Sequence, residues 1–496
     1  MRRWVARIGG VLVATLALLA VCEMALRLAG FHAEVGGSEA LPFSLPLFRP
    51  TVGPDGVAML QRQDAAVGFR QEKPANGLRV FVVGESSAYG FPFGPEFAFP
   101  RFLQERLSAA WPDRTVEVVN AAMPGIGSWQ VRKVVEEIAD YHPDVLVVYL
   151  GHNELSRAGP AESGALARLA PRFRFYQLAV VAADALRGWR GGTPTVDKMR
   201  RNTDPFGPIR DRARGVATQT DADRDWALAR YRENLRAIVA SARAVGASVV
   251  LAGLAQNMSD HPPGASRHRR GLSDDERARW RTAMQSAAAH MQAQQWGAAL
   301  EQVRAAEQID ARPAILHYMR GQCLEALGRY ASARAAFRDA SDRDAVPLGA
   351  TGAVNRIIAE VANETGSPFV DVLQALRRAS PHGLVGSALF CDSIHPTVEG
   401  HAEIARILAE ALGVPHNLVP PTDVAAVLAA HPEIQDKIYR TNTVFYLILG
   451  WHDKALTEAN EAMQRYPDMK KARDGIDDFR TRDPVRSWDD LPEAAD

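Results

Sequence analysis

The stretch Leu78-Arg79-Val80-Phe81-Val82-Val83-Gly84-Glu85-Ser86-Ser87-Ala88-Tyr89-Gly90 couples a strand pattern to a serine. Its first half is a β-branched and aromatic run that stops at a glycine, as a buried strand does before a turn. Its second half puts Ser86 just past the strand end. Similar apolar runs return at Thr115–Val119, ending on Asn120, and at Asp144–Leu150, ending on Gly151. Ala247–Gly253 and Pro368–Val372 are a fourth and a fifth. Helical stretches separate them, for example Phe99–Ala110, Trp129–Tyr141 and Trp226–Val245. Strands alternating with helices imply an α/β fold, a parallel sheet with helices on both faces. Functional groups in such sheets gather at the carboxyl ends of the strands.

The alternation breaks between the fourth and fifth runs. From about Asp274 to Asp344 the chain is alanine-rich and helical, with a repeat. Ala299, Ala306 and Asp310 recur as Ala333, Ala340 and Asp344, and Trp296 as Tyr330, each pair 34 residues apart. Gly321, Leu327-Gly328 and Phe337 strengthen the second unit. The period and the small residues resemble the tetratricopeptide repeat, in which alanines let paired helices approach closely. The plainer reading is a generic alanine-rich hairpin. Leu449-Gly450, Ala455, Ala462 and Pro467 fit the same frame within a helical pair from Gln435 to Tyr466. Because about three such units are normally needed for stability, this C-terminal pair is expected to stack on the inserted helices. The concave face would then take a protein or glycan partner. Between Ser156 and Asp225 runs an arginine-rich connection with one apolar segment, Phe175–Leu186, read as a packing helix rather than a lid or a membrane-facing helix.

At 496 residues the chain has room for two or three domains. Its 58 basic and 58 acidic side chains give no net field for nucleic acid. Cys22, Cys323 and Cys391 are widely spaced, so no zinc site or disulfide framework is indicated. Cys323 reads as a buried helical thiol, and Cys391 has no assigned role. Arg2, Arg3 and Arg7 precede an uncharged apolar run of 15 residues, Ile8 to Cys22. Extended to Gly30, it reads as an uncleaved signal anchor with a cytoplasmic N-terminus and an extracytoplasmic body. Leu19-Ala20-Val21-Cys22 is only a loose lipoprotein box. The expected divisions are an anchor at 1–30, a linker at 31–76 and the first part of the sheet domain at 77–270. A helical insertion follows at 271–345, then the second part of the sheet domain at 346–415 and C-terminal helices at 420–480.

Taken alone, Gly84-Glu85-Ser86 is weak, since serines often cap helices. It also half-matches the G-x-S-x-G elbow of α/β-hydrolases, with Ala88 in place of the last glycine. Asp392-Ser393-Ile394-His395-Pro396-Thr397 separates the readings. A serine nucleophile needs a histidine base oriented by a carboxylate on its other nitrogen. Here Asp392 and His395 lie three apart in one loop, whereas α/β-hydrolases draw them from separate loops.

With Asn120-Ala121-Ala122-Met123-Pro124-Gly125 and Gly151-His152-Asn153-Glu154, these segments resemble the SGNH (GDSL-like) hydrolase superfamily. Its blocks supply Ser, Gly, Asn and His in this order. Glu85 and Glu154 stand where that family usually has aspartate. The resemblance covers about Leu78–Glu154, Ala247–Asn257 and Ala353–Leu412. It implies a flavodoxin-like three-layer sandwich, interrupted here by the all-α insertion. It also implies Ser86 as nucleophile, His395 as base and Asp392 as its orienting acid. The oxyanion hole would come from the Ser86 N–H, the Gly125 N–H and the Asn153 side chain, without metal or cofactor.

Glu85 and Glu154 read as loop-holding carboxylates rather than general acids. His152 and His401 read as packed histidines, and Asn257 and Asp260 as residues that can line a cleft at the fourth strand's end. The expected activity is hydrolysis of an acetyl or short-acyl ester of a small molecule or glycan. Acyl transfer to an extracytoplasmic glycan uses the same residues. A repeat-based scaffold with a vestigial site is the reading from another class, and the intact Ser86, Asn153, Asp392 and His395 count against it.

Overall fold

The computed structural model describes residues 20–28, 46–62, 64–156, 174, 178, 220–419, 421–448 and 452–465. Two compact units divide the chain: residues 1–44 with 159–207, and residues 45–158 with 208–496. In the first unit residues 20–28 are helical, and Glu23 and Arg27 pair at 2.7 Å. Among the described residues no helix is long and apolar enough to cross a membrane. The expected anchor up to residue 19, and all of Phe175–Leu186 except Leu178, lie outside the described residues.

In the second unit, five parallel strands form the central sheet: β4 (Gly77–Gly84), β5 (Thr115–Asn120), β6 (Val145–Tyr149), β7 (Ser248–Ala252) and β8 (Phe369–Val370). Their order is β5-β4-β6-β7-β8, the doubly wound arrangement whose switch point lies between β4 and β6. Every residue of β4 is buried, as its unbroken apolar run requires. The helices α1 (Ser86–Tyr89), α2 (Phe99–Ala110), α3 (Ser128–Ile138), α4 (Asn153–Ser156) and α5 (Asp221–Ala244) belong to the first part of the domain. α5 begins five residues before the expected Trp226. Thr220 and Asp223 cap it reciprocally, at 3.0 and 2.9 Å.

Residues 31–76 are not merely a linker. They carry a three-stranded antiparallel sheet, β1 (Phe48–Val52), β2 (Ala58–Arg62) and β3 (Gly68–Arg70). Phe48 and Phe69 are each 1% exposed and meet the Phe81 ring edge-on. Arg62 of β2 donates to the carbonyls of Asn120 and Ala122 at 2.9 and 2.8 Å. The small sheet therefore completes the core and braces the loop after β5.

Between β7 and β8 stand four helices: α6 (Asp274–Gln292), α7 (Trp296–Ile309), α8 (Ala314–Ala326) and α9 (Tyr330–Arg343). α7 and α9 start at the two aromatics that the repeat places 34 residues apart. Ala299, Ala306, Ala333 and Ala340 are all buried in their common core. A Cβ at Gly321 would lie 2.5 Å from the Phe337 ring, so α8 and α9 touch there only because glycine has none. The two equivalent aspartates fasten these helices to one loop. Asp344 accepts from Gly264 N and Ala265 N at 2.7 and 2.9 Å, and Asp310 from Arg269 N at 3.0 Å.

The chain then forms α10 (Gly352–Thr365), β8, α11 (Val372–Ala379) and α12 (Val398–Ala411). β8 is only two residues, because the Asp371 carboxylate accepts from Gln374 N at 2.9 Å and starts α11. α2 packs with α12, and α3 and α10 both pack on α5, giving helical layers over the sheet. α13 (Val424–Ala430) leads to the hairpin of α14 (Glu433–Ile448) and α15 (His452–Arg465). Its expected turn residues Leu449-Gly450, and Pro467, lie outside the described residues. A cleft of about 440 Å³ is lined by Tyr446, Thr457 and Glu458 of this hairpin and by Tyr318, Gln322 and Glu325 of α8.

Candidate active site

β4 ends at Gly84 against Tyr149 of β6, and two residues later α1 opens with Ser86. As the first helical residue, Ser86 has an N–H outside the intrahelical ladder. Its Oγ lies 2.8 Å from His395 Nε2, and His395 Nδ1 lies 2.6 Å from Asp392 Oδ2. The other Asp392 oxygen accepts from Ile394 N and His395 N, each at 2.8 Å, so one carboxylate shapes the turn and holds the ring. Asp392 is 0% exposed. Burial by itself would raise its carboxyl; the charge on His395 and the hydrogen bonds from His395 and Ile394 outweigh it and hold the group below its ordinary value.

The loop is fastened on every side. Ser87 Oγ donates to Ile394 O at 2.9 Å, joining the turn of the serine to the turn of the histidine. Cys391 N donates to His395 O, and Asn257 N to Ser393 O, both at 2.9 Å. Thr397 accepts from Gly400 N at 3.1 Å and caps α12. The Phe91 ring packs 4.7 Å from that of His395. The Cys391 thiol is pushed well above its ordinary value, by burial and then by Asp392, so it stays protonated and unreactive.

Gly125 follows β5 and Asn153 follows β6, flanking the end of β4 at the carboxyl edge. Gly125 has φ 72°, a left-handed conformation that a side chain disfavours. Asn153 Nδ2 donates to Ile126 O at 2.8 Å, which joins the two loops and fixes the plane of the amide. Behind them sit two glutamates, Glu85 buried and Glu154 half-buried. Glu85 accepts from His152 N and Asn153 N at 2.8 and 3.1 Å. Burial, then the charge of Glu154, pushes its carboxyl up to about 8. Glu154 accepts from Ser128 N and Oγ at 2.6 and 2.9 Å, and burial pushes it up to about 7. Both hold backbone.

His152 and His401 are buried neutral rings, each lowered to about 3, first by burial and then by the charge of His395. Each accepts a backbone N–H at Nδ1, from Ala350 and Phe99 respectively, both at 3.2 Å. Asn257 and Asp260 follow β7. Asn257 contacts the His395 loop, whereas Asp260 accepts from Ser387 and lines the cleft beside α8. The contributions of Arg62, Ser87 and Phe91 carry no periodic or motif signal. Among the described residues no group of His, Cys, Asp or Glu is arranged to hold a metal ion.

Residues 82–296 match the model of the GDSL-like lipase/acylhydrolase family. That match stops before Asp392 and His395, which the four inserted helices separate from the rest of the domain. No curated protein matches the chain. Among solved structures, it is similar to an acetylxylan esterase from Geobacillus stearothermophilus, with 14% identity, 70% of this chain and 98% of that chain covered, and a TM-score of 0.32. Its similarity to the structure of TesA has 14% identity, coverage of 69% and 99%, and a TM-score of 0.29.

Proposed function

We propose that this chain, whose residues 82–296 match the GDSL-like lipase/acylhydrolase family, is a membrane-anchored serine esterase acting on acetyl or short-acyl esters. Ser86 attacks the ester carbonyl while His395 Nε2 takes its proton; the same nitrogen then protonates the leaving alcohol. Asp392 keeps the proton of the resting imidazole on Nδ1 and stabilises the imidazolium. The Ser86 N–H, the Gly125 N–H and the Asn153 amide stabilise the tetrahedral oxyanion, each donor contributing about 3–4 kcal/mol. Water, activated by His395, then releases the acid. The residues assigned to these roles need no metal or organic cofactor.

The observation that carries this reading is the hydrogen-bonded series from Ser86 Oγ through His395 to Asp392, at 2.8 and 2.6 Å. Arg2, Arg3 and Arg7 before the apolar run support an anchor with an extracytoplasmic body. The 34-residue recurrence supports reading α6–α9 as two tetratricopeptide-like units. Purified full-length protein should hydrolyse p-nitrophenyl acetate, and Ser86→Ala should abolish that turnover. Equal rates in the two proteins would refute the mechanism.

A further inference from the structure

The turn from Asp392 to His395 is held from outside by the segment that follows β7. Asn257 N donates to Ser393 O at 2.9 Å, and His261 Nδ1 lies 3.1 Å from Ser393 Oγ. One residue of the turn is thus gripped by both its backbone and its side chain. Ser393 and His261 are buried. His261 precedes Pro262 and Pro263. The residue before a proline is confined to extended backbone, and each proline fixes its own φ, so the imidazole stands on a stiff base.

The C-terminal hairpin reaches both loops of the site. The ring of Tyr446, itself buried, stacks on that of His261, with centroids 4.6 Å apart and planes at 5°. Lys437, on the same helix α14, donates from Nζ to Phe93 O at 3.1 Å. Just before α14, the His431 ring meets Phe97 edge-on at 4.8 Å. Phe93 belongs to the turn that follows Ser86, closed by Phe93 N on Gly90 O at 2.8 Å. Lys437 and Tyr446 are nine residues apart, about two and a half turns, so they leave opposite sides of the helix. α14 therefore has the serine loop on one side and the brace of the histidine turn on the other.

We propose that His261 and Tyr446 are positioning residues for the reaction at Ser86: the hairpin seats Tyr446 on His261, and His261 holds Ser393 so that the His395 ring stays on the serine. The need is geometric. His395 must meet Ser86 and Asp392 at once, at 2.8 and 2.6 Å, and a misplacement of about 1 Å can cost about 10²-fold in rate. Ser87 fixes the turn from the serine side through Ile394 O. Loss of the His261 contact frees the Ser393 side chain and lets the turn relax away from the serine. The brace rests on these contacts; its effect on turnover rests on the esterase reading.

The test compares full-length variants in detergent on p-nitrophenyl acetate. His261→Ala should lower kcat by about tenfold with KM within about twofold. Ser393→Ala, which removes a single hydroxyl, carries the same expectation should His261→Ala not fold. Tyr446→Ala should lower kcat about fivefold, and Tyr446→Phe, which keeps the stacked ring, should restore most of it. The double variant of His261→Ala and Tyr446→Ala should be no slower than His261→Ala, because Tyr446 acts through His261. The low-field proton resonance of the His395–Asp392 hydrogen bond should shift in the three alanine variants and return in Tyr446→Phe. Unchanged kcat in His261→Ala and Ser393→Ala, an effect confined to KM, or losses that multiply in the double variant would overturn the proposal. So would a lower melting temperature with kcat and the resonance both unchanged. A wild type without ester turnover would sink the esterase reading, and the resonance would still decide the brace; turnover that every variant matches sinks the brace alone.

Discussion

Asp392 and Glu85 are carboxylates at 0% and 1% exposure, on the two loops that meet at Ser86. Burial opposes the charge of each. Asp392 faces an imidazole and two N–H groups, and its carboxyl is lowered. Glu85 also accepts backbone N–H bonds, but its nearest charge is another carboxylate, Glu154, and it is raised to about 8. At Glu85 burial and the neighbouring carboxylate outweigh the backbone N–H bonds, whereas at Asp392 the imidazole and the N–H bonds together outweigh burial. One acid is thereby suited to stabilise charge on His395, while the other holds a loop with little charge of its own.

The largest expected effect breaks the Asp392 side of this contrast. Asp392→Asn should lower kcat/KM for p-nitrophenyl acetate by about 10⁴-fold, because the amide favours the wrong tautomer of His395. Retention within about tenfold would mean that His395 is oriented by something else. The same substitution should flatten the acid limb of stability. A carboxyl lowered from 3.8 stabilises the fold above that pH, and the contribution is lost as pH falls.

Next is the loop that Glu85 holds. Asn153→Ala should reduce kcat by about 10²–10³-fold with KM less affected, as expected for a donor used mainly in the transition state. An effect confined to KM would make Asn153 a binding residue only.

How much of this was legible in the sequence follows from where each signal resides. The Ser86, Asn153 and Asp392–His395 segments were readable because each is a local polar pattern at a strand end or in one turn. β4, β6 and β7 were readable because burial on both faces leaves a nearly continuous apolar run, and β5, half-buried, because its valines keep the pattern around Glu117. The sheet of β1–β3 was not: its strands are at most five residues long, β1 and β2 are joined by a turn containing Gly53 and Gly56, and β3 opens on Gly68. Phe48, Phe69 and Arg62 acquire their roles only against Phe81 and the carbonyls of Asn120 and Ala122. The cleft was equally hidden, since Asp260, Tyr318 and Tyr446 come from three distant segments. Periodicity reports a face, not what another segment brings to it.

A smaller effect isolates the Glu85 side. Glu85 and Glu154 are raised from 4.5 to about 8 and about 7. Between 4.5 and those values the folded chain binds more protons at these two groups than the unfolded one, so their contribution is fully present below pH 4.5 and is lost as pH rises. The melting temperature should drop between about pH 4.5 and 8, by an amount reflecting on the order of a few kcal/mol. Glu85→Gln should flatten that drop while leaving the acid limb intact. A wild-type melting temperature that does not fall with pH would show that Glu85 is ionised without a partner, and the contrast with Asp392 would collapse. Smallest is Ser87→Ala, which removes the bond to Ile394 O and should cost about 1 kcal/mol in denaturant unfolding with turnover reduced only a few-fold.

The central claim, that Ser86 is the nucleophile activated by His395, is tested most directly by covalent labelling. Full-length protein treated with a p-nitrophenyl organophosphonate should gain one adduct by intact mass, mapped to Ser86 by peptide sequencing. Labelling should disappear in Ser86→Ala and slow by more than about 10³-fold in His395→Ala. An adduct on any other residue, or none on Ser86 under conditions in which the enzyme turns over ester, would contradict the account.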